Sequence, residues 1–228
     1  MREFIYYSAS AVTSGNLIKD DLMKAGRIDI ACQIVLQSFF ISHHIRPDVK
    51  LHLIFNGSPD PPKHLEIFPG KNLEGVEGKI DISKKDIASL FKKILYKYKK
   101  GEKTEIASGY SIEKKHFSNL VLELANQGKE IFILDKKGED IRSAEIPKNA
   151  VFILGDQDGI PKQEFKHLKS KGVEMKKISV GPAMLFASQT MTILQNELDR
   201  REVEWKSNPC IYFPQFLQLS YFSSFYFL

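Results

Sequence analysis

The sequence has few cysteines and few of the residues that mark fibrous or low-complexity chains. Only two of its 228 residues are cysteine, and it contains 14 glycines and 10 prolines. A disulfide scaffold and a collagen-like chain are therefore excluded, and Cys32 and Cys210 are expected to be free thiols. A chain of this length buries roughly 70% of the surface that its unfolded form exposes, so it needs no metal or disulfide for stability.

Long hydrophobic runs are also missing near the start of the chain. The first residues, MREFIYYSASAVTSG, place Arg2 beside Glu3 and are followed by no long apolar stretch. This pattern predicts neither a signal peptide nor a transit peptide, so we expect a cytoplasmic protein. The 43% share of hydrophobic residues favours a globular protein with no membrane partner.

Positive charge is in excess, and it is distributed unevenly along the chain. The formal net charge is +5, and eight lysines fall between Lys84 and Lys103 against only Asp86 and Glu102. Apolar residues recur there at helical spacing, which predicts an amphipathic helix with a basic outer face. That face could contact phosphates, or it could be a solvated lysine face of the kind found in heat-adapted proteins.

Predicted strands and helices alternate along the chain. The strands are expected at 4–7, 50–55, 130–134, 151–154 and 175–180. The helices are expected at 17–24, 28–41, 112–126 and 184–201, in the lysine-rich segment, and from about 161. This alternation predicts an α/β fold with a mostly parallel sheet flanked by helices, whose ligands lie beyond the carboxyl ends of the strands.

The loops after the later strands can contact a ligand mainly through backbone groups and less through charged side chains. Gly155 and Gly181 follow strands directly, where the absence of a Cβ lets a ligand lie on the backbone. Neither loop has the spacing of a phosphate-binding motif. The Asp156 and Asp158 spacing lacks the further ligands of a calcium loop. No metal is predicted, because His43, His44 and His52 have no matching ligands and surface or cap roles are favoured for them.

Several long motifs resemble one known family. FILGDQDGIP and ISVGPAMLFASQTMTILQNELDR are similar to the motifs of the SPOUT class, and FIYYSASAVTSGN with KAGRIDIACQIVLQSFFISHHIRPDVKLHLIFNGSPDPP narrows the likeness. Together they resemble the archaeal tRNA pseudouridine (N1)-methyltransferase family up to about Arg201. The resemblance implies a C-terminal trefoil knot, an S-adenosylmethionine cofactor, an obligate homodimer, and tRNA as substrate, methylated at N1 of pseudouridine 54 in the T-loop.

The resemblance also implies a cofactor site made by the knot loops. Its residues would be Leu134, Gly155, Ile178, Ser179, Val180, Gly181, Pro182 and Leu185. Such loops can offer backbone groups to the adenine edge and an apolar slot to its ring. Family members often have cysteine near the start of the last helix, whereas this chain reads FASQT, with Ser188 or Thr190 in that place.

Candidates for the chemistry lie in the N-terminal half. Methylating a ring nitrogen requires in-line placement and removal of its proton. Asp29 is predicted as base or orienter, Arg27 and Arg46 as clamps on phosphate or base, and Asn56 as a reader of the base edge. Arg27 and Asp29 could equally be an ordinary ion pair at a helix start.

Two other functions stay open at this point. One is a related knotted methyltransferase acting on ribosomal RNA pseudouridine or on ribose, and the other is a non-catalytic RNA-binding module that uses the lysine helix. A single domain is expected over 1–202. The segment 203–228, which is rich in aromatic residues and poor in charge, is expected to lie outside the core as an extension.

Overall fold

The structure, a computed structural model, describes residues 1–42, 44–72 and 83–202. Its strands are β1 (Arg2–Ser8), β2 (Phe40–Ile41), β3 (His44–Ile45), β4 (Val49–Phe55), β5 (Lys63–Ile67), β6 (Thr104–Ala107), β7 (Tyr110–Glu113), β8 (Glu130–Asp140), β9 (Ala150–Gly155) and β10 (Met175–Ser179). Its helices are α1 (Ile28–Phe39), α2 (Lys84–Tyr96), α3 (Phe117–Asn126), α4 (Lys162–Ser170) and α5 (Ala187–Glu202). The predicted extension 203–228, with Cys210, lies outside the described residues.

Eight strands form one sheet in the order β10-β8-β9-β1-β4-β5-β7-β6. The first five run parallel, and β5, β7 and β6 continue the sheet with antiparallel pairings. The strands of the parallel half end at one edge, which places the loops after β8, β9, β1 and β4 side by side. The predicted α/β fold with a mostly parallel sheet is confirmed.

Helices cover both faces of the parallel half. Along β1, Phe4 and Tyr6 pack into a core shared with α1, α2 and α5, whereas Ile5 and Tyr7 pack into a second core shared with α3 and α4. Successive side chains of a strand point to opposite faces, so a strand covered on both sides must be apolar throughout its centre. No helix in the described part of the chain is long and apolar enough to cross a membrane.

Several predicted elements were wrong. The helix expected at 17–24 is a 3₁₀ turn at Gly15–Leu17 followed by irregular turns. The helix expected at 112–126 begins only at Phe117, because Tyr110–Glu113 is strand β7. The last helix begins at Ala187 instead of residue 184. The three antiparallel strands β5, β6 and β7 were not predicted.

A buried hydrogen-bonded chain joins the two halves of the sheet across four neighbouring strands. Glu3 of β1 contacts His52 Nε2 of β4 at 3.0 Å, and His52 Nδ1 contacts His64 Nε2 of β5 at 2.9 Å. His64 Nδ1 contacts Glu113 of β7 at 3.0 Å. The surface or cap role expected for His52 is therefore wrong, since its side chain is 2% exposed and part of this chain.

Candidate active site

A cavity of about 590 Å³ lies at the carboxyl edge of β8, β9 and β10. Its walls come from the middle of β8, from the ends of β9 and β10 with the loops after them, from the start of α5, and from single residues of α1 and α4. The lining residues are Ile30, Ile133, Leu134, Asp135, Lys136, Ile153, Leu154, Gly155, Asp156, Gln157, Asp158, Gly159, Ile160, Phe165, Ser179, Val180, Gly181, Ala183, Met184, Leu185, Phe186, Ala187, Gln189 and Thr190.

Most of the residues predicted for the cofactor lie in this lining. They are Leu134, Gly155, Ser179, Val180, Gly181 and Leu185. Ile178 and Pro182 are not part of it: Ile178 is buried against β8, and Pro182 is exposed in the loop before α5. The cofactor roles of all eight residues stay predictions.

The wall made by β8 and β10 depends on a break in their pairing. Ile133 pairs with Lys177, but the next pair is Glu139 with Ile178, so residues 134–138 leave the ladder and turn toward the cavity. Gly138 makes this possible, because a Cβ on it would lie 2.5 Å from the backbone nitrogen of Ile178. This close approach fixes where Leu134 and Asp135 enter the site.

Asp156 ties the loop after β9 to the end of β1. Its Oδ2 accepts hydrogen bonds from Ser8 Oγ at 2.9 Å and from the Ala9 backbone N–H at 2.7 Å. Its Oδ1 accepts from the Asp158 backbone N–H at 3.0 Å. The carboxylate therefore shapes the cavity wall, a role that sequence reasoning missed although Asp156 directly follows the Gly155 strand end.

The start of α1 approaches the same region. Arg27 Nε and Nη2 donate to the two carboxylate oxygens of Asp29 at 3.0 and 3.1 Å. Burial, with the carboxylates of Asp156 and Asp29 nearby, raises the pKa of the fully buried Tyr6 above its ordinary value. The ion pair predicted as an alternative at this helix start therefore exists.

The two residues predicted for substrate binding lie at opposite edges of the sheet. Asn56 is exposed directly after β4, and its Nδ2 donates to Tyr7 Oη at 3.1 Å. Arg46 precedes β4 and donates through Nη1 and Nη2 to Asp199 of α5 at 2.5 and 2.6 Å. The structure therefore places Asn56 at the carboxyl edge of the sheet, outside the residues that line the cavity, and Arg46 at the amino edge.

Comparison with known proteins bears directly on this site. A family model described as "Putative SAM-dependent RNA methyltransferase" matches residues 1–203, nearly the whole described chain. The chain belongs to this family. Its members transfer a methyl group from S-adenosylmethionine, so the predicted cofactor class is confirmed.

Individual relatives narrow the family further. The chain is 36% identical over 212 residues to the tRNA (pseudouridine(54)-N(1))-methyltransferase of Methanococcus aeolicus, covering 90% of this chain and 100% of the relative. It is 34% identical over 210 residues to the enzyme of the same name from Methanocaldococcus jannaschii, covering 89% and 98%. The resemblance read from the sequence motifs is therefore confirmed.

A solved structure of low sequence identity shares the fold. The crystal structure of Archaeoglobus fulgidus Nep1 bound to S-adenosylhomocysteine matches with a TM-score of 0.57 and 13% identity, covering 88% of this chain and 98% of that chain. The likeness supports the SPOUT-like α/β architecture. The trefoil knot concerns the path of the chain, and it stays a prediction.

The cavity of this RNA methyltransferase fits an adenosylmethionine. Its volume lies in the range typical of small-molecule sites, roughly 300–1,000 Å³. Aliphatic side chains such as Leu134, Leu154 and Val180 offer a slot for the adenine ring, and the glycine-bearing loops expose backbone groups to its edge. The carboxylate of Asp158 in the lining suits a ligand with positively charged amino and sulfonium groups, whereas that of Asp135 is paired with Lys177.

Proposed function

We propose that this protein transfers a methyl group from S-adenosylmethionine to N1 of pseudouridine 54 in the T-loop of tRNA. The observation that carries the proposal is the cavity, because six motif residues predicted for the cofactor meet there although they come from three separate segments: strand β8, the end of β9, and the end of β10 with the loop after it. The names of the two methanogen relatives, which align over almost their full length, support the choice of nucleoside and position.

The chemistry of the nucleoside restricts methylation at N1 to pseudouridine. In uridine, N1 forms the glycosidic bond and has no proton to lose. Pseudouridine is attached through carbon and presents N1 as a free N–H. An enzyme whose site is built for that nitrogen cannot act on unmodified uridine, however tightly the RNA binds.

The reaction forms the N1–methyl bond, breaks the sulfur–methyl bond and releases the N1 proton. When bound, S-adenosylmethionine supplies an electrophilic methyl group. Asp29, held by Arg27, accepts the N1 proton or orients the group that does, and Arg27 balances negative charge that develops on the base. Asn56 reads the edge of the base turned out from the loop.

We also propose a homodimer. Met184 and Phe186, at the rim of the cavity, are 77% and 63% exposed in the single chain, and exposed apolar side chains beside a site favour association. Arg46 cannot reach the cavity of its own chain from the amino edge of the sheet, where it bonds Asp199. In the dimer, Arg46 of each chain would exchange Asp199 for a phosphate of the RNA bound at the other chain's cavity.

The function is tested with two tRNA transcripts that are identical except for pseudouridine or uridine at position 54. Purified protein and methyl-labelled S-adenosylmethionine should label only the pseudouridine-containing RNA. Gly155→Trp, which fills the cavity, is the inactive control. Equal labelling of both RNAs, or label on a ribose oxygen, would contradict the proposed target.

A further inference from the structure

We propose that the outward side of α2 is a docking surface for the backbone phosphates of the tRNA whose base enters the cavity. This inference rests on the proposed function, since it assigns the surface that holds the same substrate. The lysine face, as we call it, consists of Lys84, Lys85, Lys92 and Lys93 of α2 together with Lys97 and Lys100, which follow the helix.

The lysine face carries six positive charges, and α2 itself contributes one acid, Asp86. All six side chains are exposed, and none forms a salt bridge within the described residues, whereas Lys99 pairs with Glu102 and Lys103 with Glu66. The acid of the helix, Asp86, accepts hydrogen bonds from the Ser83 backbone N–H and Oγ at 2.8 and 2.7 Å in the helix cap. Its carboxylate therefore serves the helix start.

This arrangement decides between the two interpretations of the lysine-rich segment, a phosphate-contacting face and a solvated face of the kind found in heat-adapted proteins. Heat-adapted proteins gain stability from surface ions arranged in ion-pair networks. The lysine face has no such network in the part of the chain that the structure describes, so its charges repel one another without a folding benefit. A dense positive surface of this kind favours a polyanion as partner.

The geometry of α2 keeps these charges on one side. Lys92 and Lys93 follow Lys85 by seven and eight positions, so the three lie on one face of the helix and span about 12 Å along its axis. Ile87 and Phe91 fill the opposite face and are buried. The ammonium groups are thus held outward on a rigid element, where they can contact consecutive phosphates.

The lysine face adjoins the edge of the sheet that carries the active site. The 3₁₀ turn Gly15–Leu17, which follows the carboxyl end of β1, packs on α2 so closely that a Cβ on Gly15 would lie 2.8 Å from the carbonyl oxygen of Lys92. The chain then leads from this turn to Arg27 and Asp29 at the start of α1. RNA entering the cavity edge would therefore pass next to α2.

Non-charged groups within the same surface fit nucleic acid as well. Tyr96 is 54% exposed beside Lys92 and Lys93, and its hydroxyl hydrogen-bonds the side chain of Asn16. Leu17, in the adjacent turn, is 43% exposed. An aromatic ring held among cations can stack on a base or lie against a sugar while the ammonium groups contact phosphates.

The test compares two triple variants with the wild-type protein. One carries Lys85→Gln, Lys92→Gln and Lys93→Gln, and the other carries Lys166→Gln, Lys169→Gln and Lys171→Gln on and after α4, across the sheet. Both remove three exposed charges. Binding of pseudouridine-containing tRNA is measured between 50 and 200 mM salt, together with calorimetric binding of S-adenosylhomocysteine.

We expect the α2 variant to bind tRNA at least tenfold more weakly than the wild type at 100 mM salt. The slope of log affinity against log salt should be shallower than that of the wild type by about 2. The α4 variant should match the wild type, and both variants should keep their affinity for S-adenosylhomocysteine. Equal tRNA affinity and salt slope in the two variants would overturn the docking surface. Absence of methylation by the wild-type protein would instead contradict the proposed function.

Discussion

Glu3 is a carboxylate in the core of the sheet, with only 1% of its surface exposed. Burial by itself would raise its pKa, but hydrogen bonds from His52 and Lys129 outweigh that effect and lower the pKa from 4.5 to about 2. Because the folded-state pKa is depressed, the ionised carboxylate stabilises the fold above pH 4.5, and this contribution is lost as the pH falls toward 2.

This shift predicts the effect of Glu3→Gln. The variant should lose about 3 kcal/mol of unfolding free energy at neutral pH, the typical loss when one partner of a buried ion pair is removed, because His52 and Lys129 lose their carboxylate. As the pH falls from 4.5 toward 2, its unfolding free energy should decrease less steeply than that of the wild type. Urea denaturation at several pH values measures both quantities, and parallel pH profiles would show that Glu3 is not the group being titrated.

Asp156 is expected to act as a positioning residue for the cofactor. Asp156→Asn preserves the shape of the side chain but weakens the bonds from Ser8 Oγ and the Ala9 N–H, so the loop after β9 should be held less firmly. We expect S-adenosylhomocysteine affinity to fall about tenfold, and less for Ser8→Ala, which removes one of the two bonds. Calorimetric titration measures both, and unchanged affinity in the Asn variant would refute this role.

The contrast between Gly155 and Asp156 shows what sequence can and cannot predict about the site. Gly155 was found because a glycine after a buried strand and a family motif both point to it. Asp156 was missed because its partner Ser8 lies 148 residues away, and no local pattern connects them. The bond from Arg46, the predicted phosphate clamp, to Asp199 could not be predicted either, because Asp199 lies 153 residues away in the sequence.

Among the elements, β5 explains why part of the sheet was overlooked. Its sequence, KHLEI, has polar residues at most positions, and yet Lys63 and His64 are only 2% and 1% exposed. Lys63 Nζ is buried because it donates to the carboxylate of Asp60 at 2.6 Å, and His64 because it joins the chain from Glu3 to Glu113. Polar residues that find partners in the fold conceal the alternation that marks a strand.

The close approach of Gly138 in β8 to Ile178 in β10 predicts a strong effect of Gly138→Ala. The added methyl group would meet the backbone of Ile178, which cannot move aside as a side chain can, so the two strands must separate. We expect loss of S-adenosylhomocysteine binding and a clear drop in melting temperature. Gly128→Ala is the matched control, because a Cβ there meets nothing within 4 Å although the positive φ of 79° adds a modest strain. Equal S-adenosylhomocysteine affinity and melting temperature in the two variants would contradict the close approach of Gly138 to Ile178.

At the scale of the whole molecule, the proposed dimer predicts rescue between two inactive chains. Gly155→Trp blocks the cavity of its own chain, and Arg46→Ala removes a clamp that we place at the partner's cavity. In a mixed dimer one cavity keeps both functions, so mixing the two proteins should restore up to about a quarter of the wild-type methylation rate. Arg46→Lys serves as a folding control, because it keeps a charge beside Asp199. No recovery at any mixing ratio would place each site within one subunit.

The ion cluster around Arg2 has a consequence for how the protein is made. Arg2 donates to Asp199 and to Glu202, so the first strand is fastened to the last described turn across 200 residues. A ribosome makes these partners 200 residues apart, and a chain rich in such distant contacts folds slowly. The cavity walls also come late in the chain, after β8, β9 and β10. In refolding from urea, helical ellipticity should therefore recover before binding of S-adenosylhomocysteine does, and simultaneous recovery would argue against this order of assembly.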